Sequence, residues 1–369
     1  GYFGAEVIKV EPPVTGDPIR TWRMVDEDGT AWWWRSLGRN KKSVTANLRT
    51  EAGREVVRRL MTGADVVIEN FKPGTMERWG LGPEAFEASN PELIYARISG
   101  YGQTGPYAKK PGFASVTEAF SGFRHLNGFP GEAPVRPNLS IGDTVAGLHA
   151  ALGILLALLE RSQGQQGQVV DVALYEAMYN LMEGVVPEYS GTGAVRGASG
   201  TTITGIVPTN TYRCSDGKFV VIGGNGDSIF VRLMRAMGRD DLADNPAYAH
   251  NTGRVTHEAV LDSAIADWTA SRSAEDVVST LEAADVPVGL IYDVADMFED
   301  PQYQARGMFE EVTVGKRKLS IPAIVPKLAR TPGFTEWPGP EVAEHRDQVL
   351  REVGYSDAEI AALSAGGDI

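Results

Sequence analysis

Three β-branched runs, AEVIKVE (5–11), ADVVIENF (64–71) and ELIYARISGY (92–101), are spaced as parallel strands are spaced, with room for a helix between the first two. In residues 50–62 that room is filled, because Val56, Val57, Leu60 and Met61 fall on one helical stripe opposite Arg54, Arg58 and Arg59. Strand, amphipathic helix and strand make a βαβ crossover. A second short helix is expected at 83–89, stopped by Asn90-Pro91. The longest apolar run, VAGLHAALGILLALL (145–159), is shorter than the roughly 20 residues that span a bilayer. It reads as a buried helix with His149 as a hydrogen-bonded core residue, and it feeds a strand at 168–174 through the turn 163–167. Alternation of this kind implies a doubly wound α/β domain.

From 187 to 210 the pattern breaks down into Gly, Pro, Ser and Thr with little periodicity, which reads as a long connector. A second unit follows, with a strand at 218–224, helices near 227–238, 256–270 and 273–284, and a strand at 288–293. Another irregular stretch, 303–333, leads to a helical tail that Ser356 and Glu359 open as a capping box. A chain of 369 residues, 43% apolar and 22% charged, has room for two such domains. Lys plus Arg number 35 against 48 for Asp plus Glu, and the net charge of −13 opposes nucleic acid or an anionic membrane as partner. The single cysteine, Cys214, excludes an internal disulfide and a cysteine-based zinc cluster, and fits a reducing, cytoplasmic setting.

Four places have the residue types for chemistry. Asp143, in Ser140-Ile141-Gly142-Asp143-Thr144 ahead of the apolar helix, serves either as its N-cap or as a nucleophile beside a flexible glycine. Asn70-Phe71-Lys72-Pro73-Gly74, with Arg78 beyond it, lies at a strand's carboxyl end, where ligands bind in open α/β sheets; a solvated turn is the alternative. Arg39, Lys41, Lys42 and Arg49 form a basic group that is more often a solvated face than a phosphate site. Gly223-Gly224-Asn225-Gly226-Asp227 has part of a dinucleotide fingerprint, but Ile229 stands where the third glycine belongs, so a tight strand-to-helix turn is the better reading. The five histidines make no metal-type pair, and Trp32-Trp33-Trp34 either lines a pocket or covers a sheet edge.

In order along the chain, GAEVIKVE (4–11), RNKKSV (39–44), ADVVIENFKPGTMERWGL (64–81), ISGYGQTGPYAKKPGF (98–113), Gly142-Asp143 and ERSQGQQGQVVDVALYEAM (160–178) resemble the class III CoA-transferase family. This is the family of formyl-CoA transferase, carnitine CoA-transferase and α-methylacyl-CoA racemase. The similarity continues to EHRDQVLREVGYSDAEIAAL (344–363), so it covers nearly the whole chain. The resemblance implies an α/β fold whose large, Rossmann-like CoA-binding domain is built from both chain ends, 1–186 and 334–369. Linkers at 187–210 and 303–333 would then flank a smaller inserted α/β domain at 211–302, and two subunits would pass through each other as an interlocked homodimer. A further strand and helix are expected ahead of Gly1.

The same resemblance makes Asp143 the nucleophile that takes up the CoA thioester. It carries CoA contacts to Asn47, Leu48 and Arg49, to Asn70, Phe71 and Lys72, to Arg78, and to Lys110, Pro111, Gly112 and Phe113. Coenzyme A and acyl-CoA are then substrates alongside a small carboxylic acid, and no cofactor is permanently bound. The helix start and the linker glycines Gly200 and Gly205 are candidate oxyanion donors. Arg124 or Arg136 is a candidate partner for a distal substrate carboxylate, with an ordinary surface role as the alternative.

Three departures refine this reading. Glu11 is followed by Pro12 where the formyl-CoA branch has a basic residue, and the oxalate-specific run of four glycines is absent. The racemase branch places a Gly-His-Asp element thirty positions before its Asp, where this chain has Phe113. The expected activity is therefore CoA transfer from an acyl-CoA, succinyl-CoA or another short-chain or dicarboxylic acyl-CoA, to a carboxylic acid through an aspartyl intermediate. Racemisation or epimerisation of an acyl-CoA, and non-catalytic CoA or nucleotide binding, are the alternatives.

Overall fold

The computed structural model describes all 369 residues, which form two compact units. The first comprises Gly1–Phe113, Asp143–Ala177 and Phe298–Ile369, and the second Ala114–Gly142 and Met178–Met297. The second unit thus begins at 114 in the chain, and 114–142 belongs with it rather than with the residues on either side.

In the first unit, β1 (Val7–Glu11) pairs in parallel with β2 (Lys41–Thr45), with Val7 opposite Lys41 and Glu11 opposite Thr45. Between them α1 (Trp32–Leu37) buries Trp34. A separate parallel sheet is formed by β3 (Val66–Glu69), β4 (Ile94–Ser99) and β5 (Val169–Ala173), in that order. The crossover expected between 5–11 and 64–71 is therefore not formed. Instead α2 (Glu51–Thr62) connects β2 to β3, which lie in different sheets. Two leading lysines mask β2 as a strand, although its Ser43, Val44 and Thr45 are buried. Thr50 caps α2 by accepting the Gly53 N–H at 3.1 Å. The stripe of α2 faces inward as its spacing requires, with Val56, Val57 and Met61 buried in a core shared with Leu81, Phe86, Tyr95 and Leu350. The helix expected at 83–89 is only a 3₁₀ turn, Pro83–Phe86. Ahead of it α3 (Thr75–Arg78) is a single helical turn, and after it the chain runs into β4 with no further helix.

The second unit opens with α4 (Ala114–Phe120) and α5 (Phe123–Leu126). Its sheet is antiparallel, in the order β6 (Thr209–Arg213), β7 (Phe219–Gly223), β8 (Val288–Leu290). Helices Asp227–Ala236, Glu258–Ala270 and Ala274–Ala283 close a core of Val220, Ile222, Phe230, Leu233, Leu261 and Leu281. Gly223-Gly224 does form a tight turn from strand to helix: a Cβ on Gly224 would stand 2.6 Å from Leu233 Cδ2. Asp227 accepts from the fully buried Arg254, which also holds the carbonyls of Val207, Asn225 and Tyr248.

The long apolar run becomes α6 (Ile141–Arg161), whose 21 residues and mean hydropathy of 1.7 are by length and composition enough to cross a membrane. The expectation that it is buried is overturned. Its small face, Ala146 and Ala150, packs against Ile98, Val170 and Val172 of the parallel sheet. Its large side chains point the other way, and Leu148, Leu152, Leu155, Leu156 and Leu159 are between 56% and 66% exposed. Spacing places both sets on the helix, but only the smallness of Ala and Gly lets the backbone approach the strands. His149 is half-buried, and its Nδ1 lies 2.8 Å from the Val145 carbonyl.

The stretch 303–333, read as irregular, contains an antiparallel hairpin, β9 (Phe309–Val314) and β10 (Arg317–Pro322), turned at Gly315 with φ of 59°. The tail ends in the expected capping box, with Ser356 N–H on Glu359 Oε2 at 2.8 Å.

A buried ionic network ties the two ends of the chain into this unit. Arg20 donates from Nε and Nη2 to the two oxygens of Glu11, each at 2.7 Å, and from Nη1 to the Pro340 carbonyl at 2.7 Å. Ser43 Oγ donates to Glu11 and accepts the Ala343 N–H, while Trp34 lies under the guanidinium at 4.0 Å and donates to Pro340. Burial alone would raise the Glu11 pKa, but Arg20, the Asp17 N–H and Ser43 bring it below its ordinary 4.5. Glu11→Gln strands the Arg20 charge and should cost roughly 3–5 kcal/mol in denaturant unfolding. In the wild type this contribution is whole above pH 4.5 and is lost as pH falls through the lowered value, so the variant's acid limb should be flatter.

Candidate active site

The carboxyl ends of β2, β3 and β4 bring the candidate ligand residues into one unit, as the rule for open parallel sheets requires. After β2 the chain turns through Asn47, Leu48 and Arg49. Asn47 Oδ1 accepts the Arg49 N–H at 3.1 Å, and the Asn47 N–H donates to the Asp368 carbonyl at 2.7 Å. Leu48 packs against the core below, leaving Arg49 at the surface. Gly53 permits this turn to lie on the start of α2, for a Cβ there would stand 2.2 Å from the Asn47 carbonyl oxygen.

At the end of β3, Glu69 is buried and organises the next turn. Its Oε2 accepts the Phe71 N–H at 2.7 Å, and its Oε1 accepts Arg97 Nε at 2.8 Å. Arg97, on the neighbouring strand, donates in addition to Glu77 at 2.6 Å. Burial is the largest influence on Glu69 and holds its pKa above the ordinary value despite Arg97. Phe71 meets Trp79 edge-on at 5.1 Å, and Gly74 turns the chain with φ of 84° into α3. Arg78 braces itself on Thr75 Oγ1 at 2.9 Å. Asn70, Lys72, Glu77 and Arg78 face solvent, while Glu69 and Arg97 are buried. Glu69, Arg97 and Glu77 were not singled out from sequence, although an arginine within IYARIS is a signal that a buried partner must exist. Arg97 Nη2 is buried with no partner of its own.

At the end of β4 an aromatic group gathers the third candidate set. Tyr101 packs on Tyr107 and Tyr175 with ring centroids 6.0 and 6.1 Å apart, and Lys110 Nζ stands 3.3 Å from the Tyr107 ring centre. Gly112 lies close beneath Tyr101, where a Cβ would be 2.9 Å from Cε2, and Phe113 is 83% exposed.

Asp143 occupies the first turn of α6, two residues inside its start, rather than the capping position before it. There it lies at the positive end of the helix dipole. The preceding residue, Gly142, donates its N–H toward Oε1 of Glu118 at 3.4 Å. Glu118 is fully buried in the second unit and was not anticipated; it also receives Arg124 from Nε at 3.2 Å and Nη2 at 2.9 Å. The expectation that Gly200 supplies an oxyanion donor is not met, since its N–H is committed to the Gly128 carbonyl at 2.9 Å. Gly205 receives Asn251 at its own carbonyl. A cavity of about 320 Å³ lies in this unit, lined by His125, Asn127, Phe129, Pro134 and Gly197 among others.

Three of the basic group near β2, Arg39, Lys41 and Lys42, are spent on structure. Arg39 is buried, bonded to Ser36 and stacked 5.0 Å from Tyr2; Lys42 pairs with Glu6; and Lys41 donates to the Leu37 carbonyl. Burial, with Lys9 and Arg39 nearby, brings Lys41 down to about 8.

Residues 1–346 match the family model described as CoA-transferase family III. The chain is 44% identical to succinyl-CoA–D-citramalate CoA-transferase of Chloroflexus aurantiacus, over 98% of this chain and 91% of that one. It is 40% identical to the alpha subunit of that organism's succinyl-CoA–L-malate CoA-transferase, over 97% and 85%. Among solved structures, a CAIB/BAIF family protein from Brucella suis superposes with a TM-score of 0.84 at 34% identity, covering 95% of this chain and 93% of that one.

Replacing a helical glycine by alanine ordinarily stabilises by about 0.5–1 kcal/mol. Gly53→Ala should do the reverse, lowering stability by roughly 1–3 kcal/mol in thermal unfolding, because the methyl group must push the Asn47 backbone away.

Proposed function

The chain belongs to family III of the CoA-transferases, and from that premise we propose that it moves CoA from succinyl-CoA to a dicarboxylic acid, with Asp143 as the nucleophile. Both curated relatives above are named for succinyl-CoA, and for citramalate and malate as the other acid. The Asp143 carboxylate attacks the thioester carbonyl, the C–S bond breaks, and a mixed anhydride forms beside the CoA thiolate. The thiolate attacks the aspartyl carbonyl, releasing succinate and leaving an aspartyl-CoA thioester. The acceptor carboxylate attacks that thioester, and the freed thiolate then attacks the acceptor's carbonyl, restoring Asp143. One thioester is lost and one is made, so the exchange needs no nucleotide hydrolysis.

The observation that carries this reading is the place of Asp143 in the first turn of α6, at the positive end of the helix dipole, which stabilises a carboxylate there. Racemisation lacks its base, because the ring of Phe113 can neither take nor give a proton. For CoA, the cations Arg49, Lys72, Arg78 and Lys110 suit the phosphates, and Asn47, Leu48, Asn70, Phe71, Pro111, Gly112 and Phe113 suit the adenine and the pantetheine arm. The exposed leucines of α6 supply apolar area for a second copy of the chain, and the interlocked homodimer is the assembly we propose. The lone, buried Cys214 suits a reducing cytoplasm.

Asp143→Ala should lower CoA exchange by about 10⁴-fold or more while CoA still binds, whereas Arg78→Ala should raise the acyl-CoA KM about tenfold with kcat little changed. Borohydride trapping after succinyl-CoA, read by peptide mass spectrometry, should label Asp143. Substantial turnover in Asp143→Ala would disprove the assignment. Light scattering should give twice the chain mass of 39.8 kDa, and a monomer would remove the dimer.

A further inference from the structure

We propose that Arg97 is a positioning residue for CoA: it holds the two acids that bracket the turn 70–78, and so sets Lys72 and Arg78 for the CoA phosphates. This deepens the reading above and rests on it.

Every residue concerned belongs to the first unit. The chain leaves β3 at Glu69, passes Asn70, Phe71 and Lys72, and turns at Gly74 into α3, whose last two residues are Glu77 and Arg78. Backbone bonds close the turn, from the Thr75 N–H to the Lys72 carbonyl at 3.1 Å and from the Arg78 N–H to the Gly74 carbonyl at 3.2 Å. A single helical turn is not stable by its own hydrogen bonds, so its direction must be set from outside. Met76, buried in the core below, fixes the depth of α3, but apolar burial is non-directional. Direction comes from Arg97. Glu69 stands opposite it in the β3–β4 ladder and accepts Nε at 2.8 Å, while Glu77 accepts Nη1 at 2.6 Å. One planar guanidinium on the middle strand of the sheet thus ties down both ends of the turn.

The same two bonds decide the charge around the turn. Glu77 precedes Arg78 in the chain and its side chain is 41% exposed, so without Arg97 it would be available to Arg78 and Lys72 as a counterion. Partial burial would raise the Glu77 carboxyl, but Arg97 holds it below its ordinary value, ionised and engaged. Neither Lys72 nor Arg78 has a carboxylate partner, and the Arg78 guanidinium donates to the Thr75 hydroxyl. Two exposed cations without a counterion therefore share one tight turn in a chain of net charge −13, and a ligand bearing phosphates supplies what they lack. Packing does not account for the arrangement. Arg97 Nη2 is buried with no partner, a cost that a well-packed apolar residue in its place would avoid.

The test compares two donors in the full chain, succinyl-CoA and S-succinyl-pantetheine, which has the same thioester and arm but no phosphate, with L-malate or D-citramalate as acceptor. Arg97→Gln should lower kcat/KM for succinyl-CoA by about tenfold or more, with kcat at saturation within about threefold, and leave kcat/KM for S-succinyl-pantetheine within about twofold. Arg97→Lys keeps the positive charge but not the fork, and should lose about threefold for succinyl-CoA alone. It carries the test if Arg97→Gln does not fold. Equal losses for the two donors, a loss in kcat with KM unchanged, or no loss for succinyl-CoA would overturn the role of Arg97 while leaving CoA transfer standing. A wild-type protein that moves CoA from succinyl-CoA to neither acid, or an Arg78→Ala variant with an unaltered succinyl-CoA KM, would instead overturn the reading on which that role depends.

Discussion

The bidentate pair between Arg20 and Glu11 is the interaction on which the first unit depends. That unit is made of three stretches of chain far apart in sequence, and the pair lies where the first meets the last. Arg20 reaches the Pro340 carbonyl, Ser43 links the same carboxylate to the Ala343 N–H, and Trp34 covers the guanidinium while bonding to Pro340. Pairs of this kind are costly to bury, and their worth lies in what happens when one member is lost. With every donor satisfied, the network admits one arrangement of β1, β2 and the returning chain.

The same device recurs twice more. Glu69 sits inside between Arg97 and the Phe71 N–H, and the cations it steadies, Lys72 and Arg78, stand outside. Glu118 sits inside beneath Arg124 and Arg136. In each case a buried acid anchors basic side chains or the turn that carries them, and leaves positive charge available at the surface of an acidic protein.

Helix α6 carries both Asp143, the proposed nucleophile, and the exposed leucines. Ala146 and Ala150 let it lie against the parallel sheet, which fixes the direction of its first turn and hence of Asp143. The leucines that the sheet does not need remain on the far side. The helix is apolar all round: one face serves this chain's core and the other holds the exposed leucines.

Much of the local structure could be read from sequence. The β-branched runs at 5–11, 64–71, 92–101 and 168–174 hold β1, β3, β4 and β5, the Val56-Val57-Met61 stripe holds α2, and Ser356 with Glu359 caps the last helix. Family motifs marked Asp143 and the turns after β2, β3 and β4, because motif residues are contiguous and keep their order. What those elements touch was decided only in three dimensions. A strand that begins with two lysines pairs with β1, a helix of leucines turns its small side inward, and the Gly200 N–H goes to Gly128. Glu69, Arg97 and Glu118 became visible only as partners. Periodicity along a chain reports which residues share a face, and that much the sequence determined alone. Which face meets which, and which buried charge finds its counterion, depends on residues hundreds of positions apart, and only the tertiary structure could decide it.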